Sequence, residues 1–255
     1  MKTILITGTN GLIAGILLKH FGINAIGFDK GDSLPSKEEA KNIKLVIHCA
    51  SMCVVRDIIK NPKLMMDNIK ITYQVMEFAR NNNVKKVVLF SSSRVNCKEK
   101  NPYTVSKEFL ENIAEGYRQA YGIDYIIIRP ETVWGHNEKN RRAISTWIDN
   151  TLYEKPVIIY GDKEKELPPI TAKEFVSLLL PIINNFDKNK GRTFSIAGKP
   201  KKVIEIISEI EQVTRKKANI IYKPAETAQP QRCTTADFTG KQSFIEQLKQ
   251  ELNSN

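Results

Sequence analysis

Short apolar runs alternate with longer stretches of helical periodicity through the first half of the chain. Residues 3–7 (TILIT) read as a strand, and residues 11–21 as a helix with Leu12, Ile13, Ile16 and Leu17 at helical spacing. Residues 24–28 predict a second strand, 36–41 a short polar helix, and 45–49 a continuous apolar strand of the kind buried on both faces. Residues 63–82 predict a long helix, 86–90 a strand, 103–121 a second long helix and 125–128 a strand. This alternation predicts an α/β fold, a doubly wound parallel sheet with right-handed crossovers and helices on both faces.

After Pro130 the pattern changes. Residues 137–153 look helical, 157–160 strand-like, and 171–185 helical up to a break at Pro181. Residues 193–196 predict a short strand, 202–215 a helix, 219–222 a strand and 244–252 an amphipathic last helix. The division expected is a dinucleotide-type domain over residues 1–135, a small substrate-binding α/β cap over 136–255, and segments around 171–197 that return to the main sheet.

Composition narrows the class. The 255 residues are 41% hydrophobic and 26% charged, which excludes a disordered chain, and the longest apolar candidate span contains Pro181. Lys2 precedes only a short apolar run, so a secretory leader is not expected. The four cysteines, Cys49, Cys53, Cys97 and Cys233, form no CxxC pair, which argues against a zinc site or a disulfide framework and for a reducing cytoplasm. The net charge of +11 is spread along the chain beside acids, with little aromatic interleaving. It reads as a Lys-rich surface that suits a small anionic ligand rather than nucleic acid.

Two constellations carry chemistry. The strand at 3–7 runs into Gly8-Thr-Asn-Gly11-Leu-Ile-Ala14 and then a helix. Gly8 serves the turn, Gly11 admits a pyrophosphate, and the helix N-terminus offers free N–H groups and a positive dipole end. Asp29 closes the second strand 21 positions after Gly8, where a carboxylate accepts ribose hydroxyls and disfavours a 2′-phosphate; Lys30 beside it weakens that preference. The second constellation is Ser91-Ser-Ser93 followed by Tyr103-Thr-Val-Ser-Lys107. Tyr103 and Lys107 share a helix face, and an ammonium there favours the phenolate a proton-transfer step needs. His48 reads as a satisfied core histidine, and Trp134 and Trp147 as packing groups.

Gly8-x-x-Gly11-x-x-Ala14, Asp29, Val46-Ile-His-Cys-Ala50, Asn68, Ser91-Ser-Ser93, Tyr103-x-x-x-Lys107 and Arg129-Pro-Glu-Thr-Val-Trp-Gly135 come in an order that resembles the extended short-chain dehydrogenase/reductases, the NAD-dependent epimerase/dehydratase family acting on nucleotide sugars. The resemblance covers roughly residues 1–200. It implies a Rossmann-type fold, NAD as cofactor, and a homodimer built on the two long helices. Tyr103 would be the acid/base, Lys107 would hold the nicotinamide ribose and lower the Tyr pKa, and Ser93 would orient the substrate. Gly8, Thr9, Asn10, Gly11, Leu12, Ile13, Asp29, Lys30, Ala50, Asn68, Ser91 and Pro130 would join Tyr103 and Lys107 around the cofactor. Ser51, Ser93, Glu131, Thr132 and Val133 would meet the substrate.

The chain departs from the family pattern in four places. Only 15 residues separate Asp29 from Leu45, so the sheet is expected to lack one strand and the adenine pocket to be trimmed. Ser93 and Tyr103 are 10 positions apart, which shortens the substrate loop. Leu167-Pro168 stands where an Arg–Asp pair would grip a diphosphate; Arg192, Arg232 or lysines are the substitutes on offer. Arg94 and Val95 follow Ser93 where a 4,6-dehydratase carries an Asp–Glu pair, which argues against dehydration. Cys97 and His136 are distant counterparts of a catalytic Cys and His, and read as loop residues.

Two kinds of function remain. One is an NAD-dependent sugar-nucleotide epimerase or oxidoreductase, a keto-sugar reductase included, in a setting such as surface-polysaccharide precursor synthesis. The other is a non-catalytic NAD(H)-binding sensor or partner protein with a decayed substrate site. No metal, nucleic-acid or membrane role is expected.

Overall fold

Neighbouring residues of the central strands point to opposite faces, and both faces are apolar. Ile6, Ile47, Val88 and Ile126 enter one core, while Leu5, Val46, Val87 and Ile127 enter another. A strand buried on both sides needs helices on both sides, and this is the architecture of the computed structural model, which describes residues 2–32, 35–135, 138–225 and 236–253.

The first half supplies β1 (Ile4–Thr7), α1 (Leu12–Phe21), β2 (Ala25–Phe28), α2 (Lys37–Ala40), β3 (Leu45–His48), α3 (Val55–Lys60), α4 (Lys63–Asn81), β4 (Lys86–Phe90), α5 (Pro102–Tyr121) and β5 (Asp124–Pro130). The second half supplies β6 (Thr132–Trp134), α6 (Ala143–Leu152), β7 (Pro156–Tyr160), β8 (Glu166–Leu167), β9 (Pro169–Thr171), α7 (Ala172–Asn184), α8 (Phe186–Asn189), β10 (Arg192–Ala197), β11 (Lys201–Lys202), α9 (Val203–Thr214), β12 (Asn219–Lys223), β13 (Phe238–Thr239) and α10 (Phe244–Asn253).

The main sheet has seven strands in the order β13-β10-β5-β4-β3-β1-β2, and every pairing in it is parallel. α1 and α7 cover one face; α4 and α5 cover the other. The sheet ends at β2. Between β2 and β3 the described chain holds only α2, closed by a Ser36–Glu39 capping box, so the strand expected to be missing is missing. The chain reverses its winding between β1 and β3, which opens a crevice at their carboxyl ends.

A third core lies outside the sheet. Trp134, Ile144, Trp147 and Ile148 pack there with Val157, Ile159, Ile206, Ile210, Phe244 and Leu248, drawn from β6, α6, β7, α9 and α10. β7 and β12 pair in parallel beside it. β10 and β13, by contrast, belong to the main sheet.

Several boundaries differ from the sequence reading. α7 runs through Pro181 rather than breaking there. Pro181 and Ser177, whose carbonyl loses its helical partner, both face solvent, where water replaces the bond. The helix expected from residue 137 begins at Ala143. α3, α8, β6, β8, β9, β11 and β13 had no counterpart in the reading; the strands among them are two or three residues long and carry no periodicity. No helix among the described residues is long and apolar enough to cross a membrane.

Candidate active site

The crevice at the switch point is lined first by glycine. Gly8 has φ +77°, in the left-handed region, and a Cβ there would stand 2.7 Å from the Cα of Ala50. β1 and β3 therefore approach as closely as backbones can. The Ala50 N–H reaches the Thr7 hydroxyl at 3.3 Å. A Cβ on Gly11 would stand 3.0 Å from the Gly8 carbonyl. Gly11 also precedes α1, whose first turn carries no side-chain cap and no acid. Its N–H groups remain available to an anion. Asp29 folds back on this loop. Its carboxylate accepts the Asn10 N–H at 2.5 Å and the Lys30 N–H at 2.7 Å. Leu12 and Ile13 turn their side chains to the core, so only their main chain faces the loop. Thr9 packs near Gly27. The reading missed Lys139, whose ammonium donates to Asn10 Oδ1 at 3.2 Å across 129 residues.

Tyr103 and Lys107 stand one turn apart on α5, which Asn101 caps and Pro102 starts. Both are buried, at 7% and 4% exposure. The Lys107 ammonium donates to the Phe90 carbonyl at 2.8 Å and lies 5.8 Å from the Tyr103 ring centroid. Burial lowers its pKa to about 8. The Tyr103 phenol is not held below its ordinary value, as expected from Lys107. Burial pushes it up, opposed by a hydrogen bond with Ser92 and by Arg94 and Arg142. The hydroxyl partner of Tyr103 is thus Ser92; Ser93 is buried beside it and opens a 3-10 turn, Ser93–Asn96.

Other expected contacts are spent inside the protein. The Asn68 amide accepts the Met52 N–H at 2.8 Å and donates to the Met52 carbonyl and the Ser106 hydroxyl. It clamps the loop after β3 rather than presenting itself to a cofactor. Ser91 donates to Glu111 at 2.5 Å, and Glu111 also pairs with Arg129. Ser51 donates to the Met52 carbonyl. Pro130 closes β5 and Glu131 follows, its N–H on the Ile196 carbonyl. Thr132 begins β6, half-buried, but the Val133 side chain is in the core.

His48 is neutral and satisfied. It pairs with Thr7 at 2.8 Å and Thr72 at 3.4 Å, and burial lowers its pKa to about 3. Cys97 is not the loop thiol expected; it is disulfide-bonded, against the expectation that the cysteines form no disulfide. His136 and Arg232 also lie outside them. Arg192 cannot replace the diphosphate grip, because it opens β10 at the opposite end of the sheet.

Two cations act on Tyr103 from segments that the reading did not join. They are Arg94 and Arg142, and Lys165 lies near Arg94. Only Arg94, next to Ser93, carried a signal in the sequence. Arg142 donates to the Val133 carbonyl at 2.7 Å and pairs with buried Glu138.

Residues 4–197 match the NAD dependent epimerase/dehydratase family. The chain belongs to this family. It is 28% identical over 158 residues to a UDP-glucuronate 4-epimerase of Thermodesulfobacterium geofontis, covering 56% of this chain and 49% of that protein. It is 31% identical over 158 residues to a Methanocaldococcus jannaschii protein assigned as a UDP-glucose 4-epimerase, covering 55% and 51%. The chain thus spans about half the length of these curated relatives. In fold it matches a UDP-glucuronic acid 4-epimerase of Bacillus cereus solved with UDP-glucuronic acid and NAD, with a TM-score of 0.88, 21% identity, and 99% and 98% of the two chains covered. The family's enzymes depend on NAD. The close Gly8–Ala50 approach and the uncapped α1 suit a dinucleotide pyrophosphate.

Proposed function

We propose that the chain is an NAD-dependent nucleotide-sugar epimerase or closely related oxidoreductase, with Tyr103 as the proton-transfer group. The observation that carries this reading is the buried phenol–ammonium pair on adjacent turns of α5, at the carboxyl edge beside the glycine cradle. Gly8 to Ile13 and Asp29 would form the cradle of the dinucleotide, which the main-chain N–H groups of Leu12 and Ile13 and the Asp29 carboxylate would meet, Gly8 and Gly11 giving room for close approach. Ala50 and Pro130 would line the pocket, and Asn68 and Ser91 would shape it from behind. NAD, when bound, supplies the acceptor and later the donor of a hydride.

Tyr103 takes the proton of a sugar hydroxyl as the hydride leaves the same carbon, giving a ketone. It returns the proton when the hydride comes back to either face. Burial favours the phenol, the form that returns a proton to a ketone, while the first step draws on the phenolate. Ser92, Arg94 and Arg142 pull toward the phenolate. Lys107, tied to the Phe90 carbonyl, would orient the nicotinamide ribose. Ser93, Ser51, Glu131 and Thr132 would line the sugar side, and the third core would form the cap over it. No acid–base pair follows Ser93, so we read hydride transfer or epimerisation rather than dehydration. A nucleotide-activated sugar is a glycosyl donor, so the consuming reaction is a glycosyl transfer, as in surface-polysaccharide assembly. Both ligands are metabolites of the cytoplasm, where we place the protein; cell fractionation checks this. We also propose a homodimer through α4 and α5.

Tyr103→Phe is the test. With NAD and UDP-glucose or UDP-glucuronate, proton NMR should follow the C4 epimer or keto product. The variant should lose about 10²–10⁴-fold in rate while calorimetry finds NAD binding unchanged. Wild-type turnover in the variant would overturn the assignment.

A further inference from the structure

Side chains alternate along β5. Ile126 and Ile128 enter the core under α1 and α7, while Tyr125 and Ile127 enter the core under α4 and α5. Arg129 continues the second series, so a guanidinium emerges on the α5 face at the carboxyl end of the strand. Glu111 meets it there from α5, one turn after Lys107. The two side chains keep only 18% and 15% exposure. Arg129 Nε donates to Glu111 Oε1 at 2.8 Å and Nη2 donates to Oε2 at 2.5 Å, a bidentate pair. Two further bonds give the pair its place. The Ser91 hydroxyl donates to Glu111 Oε1 at 2.5 Å, and Arg129 Nη1 donates to Asn96 Oδ1 at 2.8 Å. Ser91 and Asn96 are the entry and the exit of the segment that holds Ser92 and the 3-10 turn from Ser93. One ion pair therefore grips both ends of that segment and ties them to the helix that carries Tyr103 and Lys107.

A pair of this kind adds little to stability. Both charges lose water on burial, and apolar side chains of similar size would fill the space as well. What apolar groups cannot do is fix a direction. The rigid guanidinium fork reaches one carboxylate and one amide at once, and each bond sets where its partner lies. Between the two gripped ends, the Ser92 hydroxyl accepts the Arg94 N–H at 3.3 Å and faces Tyr103. A shift of the segment would move Ser92 and Ser93 off that hydroxyl without touching the cofactor cradle.

We propose that Arg129 and Glu111 are positioning residues for the reaction, which bracket the segment from Ser91 to Asn96 so that Ser92 and Ser93 stand against Tyr103 as proton transfer requires. The proposal rests on the nucleotide-sugar reading above. Neither residue touches substrate or cofactor; both act through the bracketed segment.

Steady-state kinetics of the NAD-loaded full chain with UDP-glucuronate and UDP-glucose, read beside urea titrations, test it. Arg129→Met/Glu111→Met replaces the pair with apolar groups. It should keep the wild-type urea midpoint and lose about tenfold to hundredfold in kcat, the cost of a misplaced reacting group, with KM unchanged. Asn96→Ala cuts the bracket at its exposed end and should lose part of that kcat, again with KM unchanged. Added to the double variant it should lose nothing more, because both act through one segment. Arg129→Lys should keep only part of the wild-type kcat, since one ammonium lacks the fork that holds Glu111 and Asn96 together. Wild-type kcat in the folded double variant would overturn the proposal, and so would losses that multiply when Asn96→Ala is added. Should the double variant fail to fold, Asn96→Ala decides alone, and wild-type kcat in it would overturn the bracket. Failure of the wild type to turn over either sugar would instead remove the nucleotide-sugar reading, and this inference with it.

Discussion

Lys107 is a liability to the fold at neutral pH. Its folded pKa of about 8 lies below its ordinary 10.5, because burial disfavours the ammonium. Between those values the unfolded chain binds more protons, so wild-type stability rises as pH climbs through 8 toward 10.5, and the cost is fully present below 8. Lys107→Met has no such slope. In urea titrations without cofactor, the wild type should gain on the variant by on the order of 2 kcal/mol between pH 7 and pH 10. A constant gap would mean that the side chain is not desolvated as described. This pair was legible in the sequence because four-residue spacing on a helix is local. What it did locally was not: the reading gave Tyr103 a lowered pKa, whereas burial raises the phenol, and the Ser92 hydroxyl bonded to it carried no signal. The turn at Ser93–Asn96 is capped by Ser92 itself, but the burial of Tyr103 depends on how the fold closes around it.

The long helices illustrate the opposite case. α4 and α5 fall within a residue of their expected spans, since each carries a strong apolar stripe and a recognisable start or stop, such as Gly122 in the left-handed conformation after α5. Their inner faces bury Val75, Met76, Phe78, Ala79, Leu110 and Ala114. Their outer faces still expose Met66 and Tyr73 on α4, and Val105 and Tyr121 on α5. Apolar groups clustered on two adjacent helices mark a surface that another chain can cover. Sedimentation should give twice the chain mass, and Tyr73→Glu should shift the protein to monomer with NAD binding intact. A monomeric wild type would refute this pairing. The short strands β6, β9 and β13 were invisible beforehand, because pairing partners rather than their own residues define them.

The molecule as a whole reads as a trimmed version of a doubly wound sheet. Every strand needed for the crevice is kept, from β2 through β5, while the edge beyond β2 is gone. The alternation of apolar strands and long helices made that visible in the sequence. The third core was less visible, since α6, β7, α9 and α10 meet only in three dimensions. The same is true of Arg94 and Arg142, which act on Tyr103 from positions 48 residues apart. The net charge of +11 agrees with anionic ligands without naming them. The central claim is that Tyr103 and Lys107 couple a sugar hydroxyl to the nicotinamide of a dinucleotide whose pyrophosphate sits at Gly8 and Gly11. The most direct measurement is the absorbance of reduced nicotinamide after NAD-loaded protein is mixed with UDP-glucuronate or UDP-glucose. The account predicts that reduced cofactor forms in the wild type and not in Tyr103→Phe, although that variant still binds NAD. Reduced cofactor at the wild-type rate in Tyr103→Phe, or none in either protein, would contradict it.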